Sequence, residues 1–217
     1  MNVVELLNRQ LQGSNALIHE LAGDLSGEEW AGLRVLPNTN FLGFTVWHLA
    51  RSMDWAVQTA IRGVPEVVVR PEWRSRPGLA GPGMGAGLEA EAADRVARTT
   101  RAADVLAYTD AVSVQILDWL GHLSPADLDR VPDLEANEAS LPHYRKEGHR
   151  REVAHLVGEP AWRLLSGPCI GHVRSHVGEC GLLKQALRQA GSNALASEVC
   201  YVESGSGSVS AKADPGR

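Results

Sequence analysis

"CIGHVRSHVGEC", residues 169–180, carries two histidines four residues apart in a stretch with the spacing of a helix interior. Cys169, His172, Val173, His176, Cys180, Leu183 and Leu187 fall at three- and four-residue steps and make one stripe. The pattern predicts a helix from Pro168 to Ala190, with proline in its first turn and Gly191 as its stop. A buried imidazole has two ring nitrogens to satisfy, and an apolar stripe offers few partners. A divalent metal relieves that cost by taking one nitrogen from each ring, and the i, i+4 spacing brings both rings within reach of one ion. The alternative is a pair of histidines buried for packing. One helix supplies only two ligands, so a metal requires a third from a facing element.

Three more long helices are predicted. The first spans Val3–Ala22, with Asn2 as N-cap and Glu5 completing a capping box. The second spans Asn40–Arg62 and is apolar nearly all round, which predicts deep burial. It contains "FLGFTVWHLARSMDW", residues 41–55, where His48 lies among apolar neighbours. His48 is the best candidate for the third ligand, against the alternative of a satisfied core histidine. Arg51 and Asp54 on the same helix read as a structural salt bridge. The third helix is predicted over Leu88–Leu120 as one piece. "SGEEW", 26–30, "SPAD", 124–127, and "PAWRLL", 160–165, read as short helical turns. Between the long helices, 64–87 is Pro/Gly-rich and too broken for regular structure, although "VVV", 67–69, has strand character. Residues 131–159 form a polar connection in which His143, His149 and His155 are expected to be solvated, or to meet a substrate at a site's mouth. The fold class is therefore all-α, a four-helix bundle with long crossover loops over residues 1–191, followed by a low-complexity, disordered tail over 192–217.

Composition narrows the function. The chain has 217 residues, 44% of them hydrophobic, and a formal net charge of −5. No dense Lys/Arg stripe is present, which argues against nucleic-acid binding. No window approaches the ~18 apolar residues of a membrane helix, and no signal peptide is recognisable at the N-terminus. Three cysteines without a CxxC fit a reducing compartment, so a cytoplasmic protein is expected. Eighteen arginines against three lysines, with abundant Ala and Gly, suggest a high-GC bacterial source.

"NTNFLGFTVWHLARSMDW", followed far downstream by "HVRSHVGECGLL", resembles the DinB-like superfamily of four-helix bundles, in which a histidine in a "WHL" context precedes a terminal-helix H-x3-H-x-G-E. The resemblance covers about residues 3–190 and also touches "GPGMGAG", 81–87, which is similar to the loop before the third helix in some members. It implies that His48, His172 and His176 bind a divalent metal, zinc or nickel, with positions open to water or substrate. Glu179, the last letter of the motif, reads as a hydrogen-bond acceptor for a ligand ring or as an exposed helix glutamate. Cys180 reads as a small core residue or an added thiolate ligand.

The resemblance further implies chemistry on a small molecule. A cation held by three neutral histidines lowers the pKa of a bound thiol or water. DinB-like members include S-transferases and isomerases that use bacillithiol, glutathione or mycothiol, and an actinobacterial-looking composition points to mycothiol. A metal-dependent thiol S-transferase is thus expected, with His143 and His149 as candidate substrate contacts. The alternatives are a metal-dependent hydrolase or isomerase without thiol, and a non-catalytic damage-inducible protein. Apolar residues left over on the first and third helices leave room for a homodimer, as in relatives.

Overall fold

The computed structural model describes residues 2–81 and 83–204, with only the backbone described for 193–204. It is all-α among the described residues. The long helices are α1 (Val3–Ala22), α3 (Leu42–Asp54), α6 (Ala102–Gly121) and α11 (His172–Ser204). Short helices join them: α2 (Gly27–Ala31), α4 (Pro71–Arg74), α5 (Ala90–Thr99), α7 (Pro125–Leu128), α8 (Leu134–Glu138), α9 (Glu147–Val153) and α10 (Ala161–Ser166). Helix α1 packs against α6 and α11, and α3 packs against α5, α6 and α11. No described helix is long and apolar enough to cross a membrane.

Local sequence places most of these boundaries. Asn2 accepts from the Glu5 amide at 2.9 Å while Glu5 reaches back to the Asn2 amide at 3.2 Å, which satisfies two amides that helix geometry leaves without partners. Ser26 with Glu29 and Ser124 with Asp127 repeat the device at α2 and α7. On α1, Leu7, Leu11, Ile18 and Leu21 turn inward, and on α6 Val105, Val112, Ile116 and Leu120 do the same. Side chains such as Ile18, Ile116 and Leu120 are fully buried, each contributing about 1.5–3 kcal/mol by leaving water.

The expected third helix is two. Thr100 and Arg101 are extended, and they separate α5 from α6. The Thr99 hydroxyl donates to the Arg95 carbonyl at 2.7 Å and the Thr100 hydroxyl to the Val96 carbonyl at 2.9 Å, so the threonine pair satisfies carbonyls at the end of α5. Nor is 64–87 without regular structure. "VVV" forms a 3-10 turn, not a strand, and α4 starts with Pro71 at its first position. The turn is anchored over a long range, because Asp54 accepts from the amides of Val67 and Val68 at 2.9 and 3.1 Å. The polar connection likewise holds α8 and α9 with a 3-10 turn at Ala154–Leu156.

Both histidine-bearing helices contain a widened turn. Helix α3 continues as π-helix through Trp55–Ile61 and ends at Gly63, where φ is 61°. Gly167–Gly171 is a π turn that joins α10 to α11. Gly191 does not stop α11, which runs to Ser204. The positive φ by which glycine most often ends a helix is not taken at Gly191. The expected tail from 192 thus begins as helix, and its part beyond Ser204 lies outside the described residues.

Candidate metal centre

Helix α3 presents His48 and α11 presents His172 and His176 one turn apart, and the packing of the two helices brings the three rings together. One nitrogen from each lies within 4.8 Å of the others, so the three form a cluster that can hold a metal ion. His48 Nε2 and His172 Nε2 stand 3.1 Å apart, and the ring centres of His172 and His176 are separated by 4.6 Å.

Hydrogen bonds set which nitrogens are available. His48 Nδ1 lies 2.6 Å from the Met84 carbonyl, which can only accept, so Nδ1 carries the proton and Nε2 keeps its lone pair. His176 Nδ1 donates to Glu179 Oε2 at 2.9 Å and leaves its own Nε2 free in the same way. Glu179 is exposed and serves as this acceptor, which joins the two readings of that residue. His172 Nδ1 is buried without a hydrogen-bond partner; the Pro168 carbonyl favours the charged ring but does not meet Nδ1 in bonding geometry.

Burial, opposed by the Met84 carbonyl and reinforced by His176, lowers the His48 pKa to about 4. Burial followed by the two neighbouring rings lowers that of His172 to about 3. Both rings are neutral near pH 7. Three imidazoles crowded this closely, two of them with Nε2 lone pairs directed by their partners, are a donor set that fits a divalent cation of borderline softness. Cys180 is not part of it. Its sulfur does not join the three rings in the cluster, and the thiol is buried, with its pKa pushed up to about 12 by desolvation, so it packs as a core residue.

The Met84 carbonyl comes from the glycine-rich loop 81–87. Gly85 has φ of 97°, and a Cβ there would stand 2.8 Å from Trp47 and 3.3 Å from His48 Nδ1. Only glycine lets this strand of loop lie on the ring. The loop is held from below by Arg51, whose Nε donates to the Gly83 carbonyl at 3.1 Å. Arg51 is buried and pairs with Glu66 at 2.6 Å and Asp54 at 3.5 Å. The Tyr108 hydroxyl donates to Asp54 at 2.5 Å and that of Tyr144 to Glu66. The Arg51–Asp54 pair is therefore structural, within a larger network.

A cavity of about 610 Å³ opens over the cluster. Phe44, Ser52 and Trp55 wall it on one side, Met84–Leu88 on another, and Gly167, Pro168 and Gly171 from the π turn on a third. Asn40, Thr45, Glu152, Val153, His155 and Leu156 complete its lining. The expected substrate contacts His143 and His149 do not. His143 lines a separate cavity of about 470 Å³ together with Arg51 and Glu66. His149 is 3% exposed and bonds Glu138 at 2.8 Å, an oxygen that also accepts from Trp55 Nε1 at 2.8 Å. A buried carboxylate explains why this histidine is not solvated, and no local pattern in "KEGHRREV" announces it.

The neutral rings have a consequence for the metal-free chain. At about pH 5, unfolding takes up protons on His48 and His172, which titrate near 6.5 when exposed. It releases one from Asp54, whose pKa is pushed up to about 6 by burial and then by Glu66. Two taken up against one released makes stability fall as pH drops from about 6.5 to about 4. Urea denaturation across that range checks this, and a flat or rising midpoint contradicts it.

No protein-family model matches the chain, and none of the curated proteins compared with it matches either.

Proposed function

We propose that the chain is a DinB-like, divalent-metal-dependent thiol S-transferase that acts on a small electrophile, with zinc or nickel at the centre and mycothiol or a similar low-molecular-weight thiol as cosubstrate. The observation that supports this most directly is the convergence of three histidines, two held neutral by burial, at the floor of a cavity large enough for a small molecule. The two histidine-bearing segments are those on which the family resemblance rests.

His48, His172 and His176 would hold the cation. When bound, such a cation lowers the pKa of a thiol that reaches it and so supplies a thiolate nucleophile near neutral pH. The rest is done by the chain. Met84 and Glu179 fix the ring orientations through their hydrogen bonds. Phe44, Trp55, Val153 and Leu156 line the cavity with apolar surface and restrict water around the reacting sulfur. Thr45, Ser52 and Asn40 offer neutral hydrogen-bonding groups to the bodies of the two substrates.

The test is conjugation of an electrophilic haloarene by the zinc-loaded chain, with mycothiol, bacillithiol and glutathione each supplied in turn. Thiol-dependent product that is lost in His48→Ala supports the proposal. No product with any thiol would sink it, and turnover without thiol would transfer the site to the hydrolase reading.

A further inference from the structure

The charge of the cavity wall is one-sided. Among the described residues no lysine or arginine lines it, and its sole anionic side chain is Glu152. Glu152 is exposed on α9, an element that carries none of the three histidines, and it forms no ion pair or hydrogen bond with a described residue. Asn40, Thr45 and Ser52 provide the remaining polar side chains apart from the imidazoles.

A carboxylate that enters such a cavity exchanges water for neutral hydroxyl and amide groups and approaches an unpaired anion. Apart from the cation that the sulfur itself would occupy, no positive group compensates the desolvation, since no guanidinium or ammonium lines the cavity. A hydroxyl- or amide-bearing group meets partners of its own kind at Asn40, Thr45 and Ser52. An exposed, unpaired acid in the lining has a modest effect, since water and salt screen it, but that effect carries a sign.

We propose that Glu152 is a specificity residue that selects cosubstrates by the charge at the end remote from the sulfur: the cavity takes a thiol with an uncharged, hydrogen-bonding body and discriminates against one bearing carboxylates. This rests on the thiol-transferase reading above. It separates that reading's cosubstrates by chemistry, with glutathione and bacillithiol, which carry carboxylates, on the disfavoured side and an uncharged sugar thiol on the favoured one.

Three small thiols isolate the effect: β-mercaptoethanol, uncharged; β-mercaptopropionate, anionic; and cysteamine, cationic. Their dissociation constants are measured by calorimetry on the zinc-loaded full chain, for wild type, Glu152→Gln and Glu152→Lys. Each thiol is compared with itself across the three proteins, so its intrinsic acidity and any second grip on the cation cancel. The expected result is that β-mercaptopropionate tightens by about threefold in Glu152→Gln and about tenfold in Glu152→Lys, while cysteamine weakens in the same order. β-Mercaptoethanol changes by less than about twofold. Zinc content and far-UV circular dichroism stay at wild-type values, because Glu152 is exposed and remote from the zinc ligands in sequence. If all three thiols bind but respond alike to substitution at Glu152, the charge selection is wrong and the transferase reading stands. If zinc binds and no thiol does, both fall.

Discussion

Arg51→Ala is expected to lower the unfolding free energy by about 3–5 kcal/mol, as removal of one partner from a buried ion pair does. Arg51 is 2% exposed and is the cation that faces both Glu66 and Asp54 within the network. Without it two buried carboxylates confront each other, and the tyrosine hydroxyls of Tyr108 and Tyr144 offset only part of that cost. The Gly83 carbonyl loses its donor in the same step. Arg51→Lys keeps the charge but not the planar fork, since one ammonium on a flexible stem does not reproduce the separate contacts made by Nε and NH1. Its stability should fall between alanine and wild type. Urea denaturation followed by circular dichroism measures both. A loss below about 1 kcal/mol for alanine places the network in water, where ion pairs contribute that little.

His172→Ala is expected to leave the metal-free fold intact and remove the metal. The imidazole has a buried Nδ1 without a partner, so its deletion relieves a desolvation cost of about 1–3 kcal/mol that offsets lost packing. Metal affinity should fall by more than about a hundredfold, beyond the range seen when only a ligand's hydrogen-bond partner is removed. Elemental analysis after dialysis against a competing chelator gives the stoichiometry, and thermal denaturation of the metal-free protein gives the fold. Unchanged zinc content in His172→Ala would overturn the assignment of the cluster. A collapse of the metal-free protein would show that the ring is there for packing.

What was legible in the sequence follows the range of the interactions. The capping boxes at Asn2 and Glu5, Ser26 and Glu29, and Ser124 and Asp127 are three-residue devices, and each is where its pattern says. The i, i+4 pair on α11 is equally local, and His48 stood out because an imidazole among Phe, Val, Trp and Leu requires a reason. What escaped depends on partners far along the chain. "VVV" has strand propensity, yet the Asp54 carboxylate takes its amides from across the fold. His149 looks like a solvated residue in a charged run until Glu138 and Trp55 close on it. The Met84 carbonyl that orients His48 is a backbone group, and side-chain patterns do not reveal it. Gly85 was the visible trace of that contact, because a loop lying on a ring needs glycine where it touches, whereas Gly83 and Gly87 give the same loop its close approach to Tyr144 and to the Gly148 backbone.

The π turn at Gly167–Gly171 gives the centre a rotational phase. An α-helix advances about 100° per residue. A single residue deleted from that turn would rotate the start of α11 by more than a quarter turn relative to α10, and would carry His172 and His176 together off the side that meets His48. Their spacing from each other would survive unchanged. A related chain can therefore display both histidine motifs intact and yet have no three-ring cluster, so that the count of residues upstream of "HVRSH" decides whether the motif is also a site.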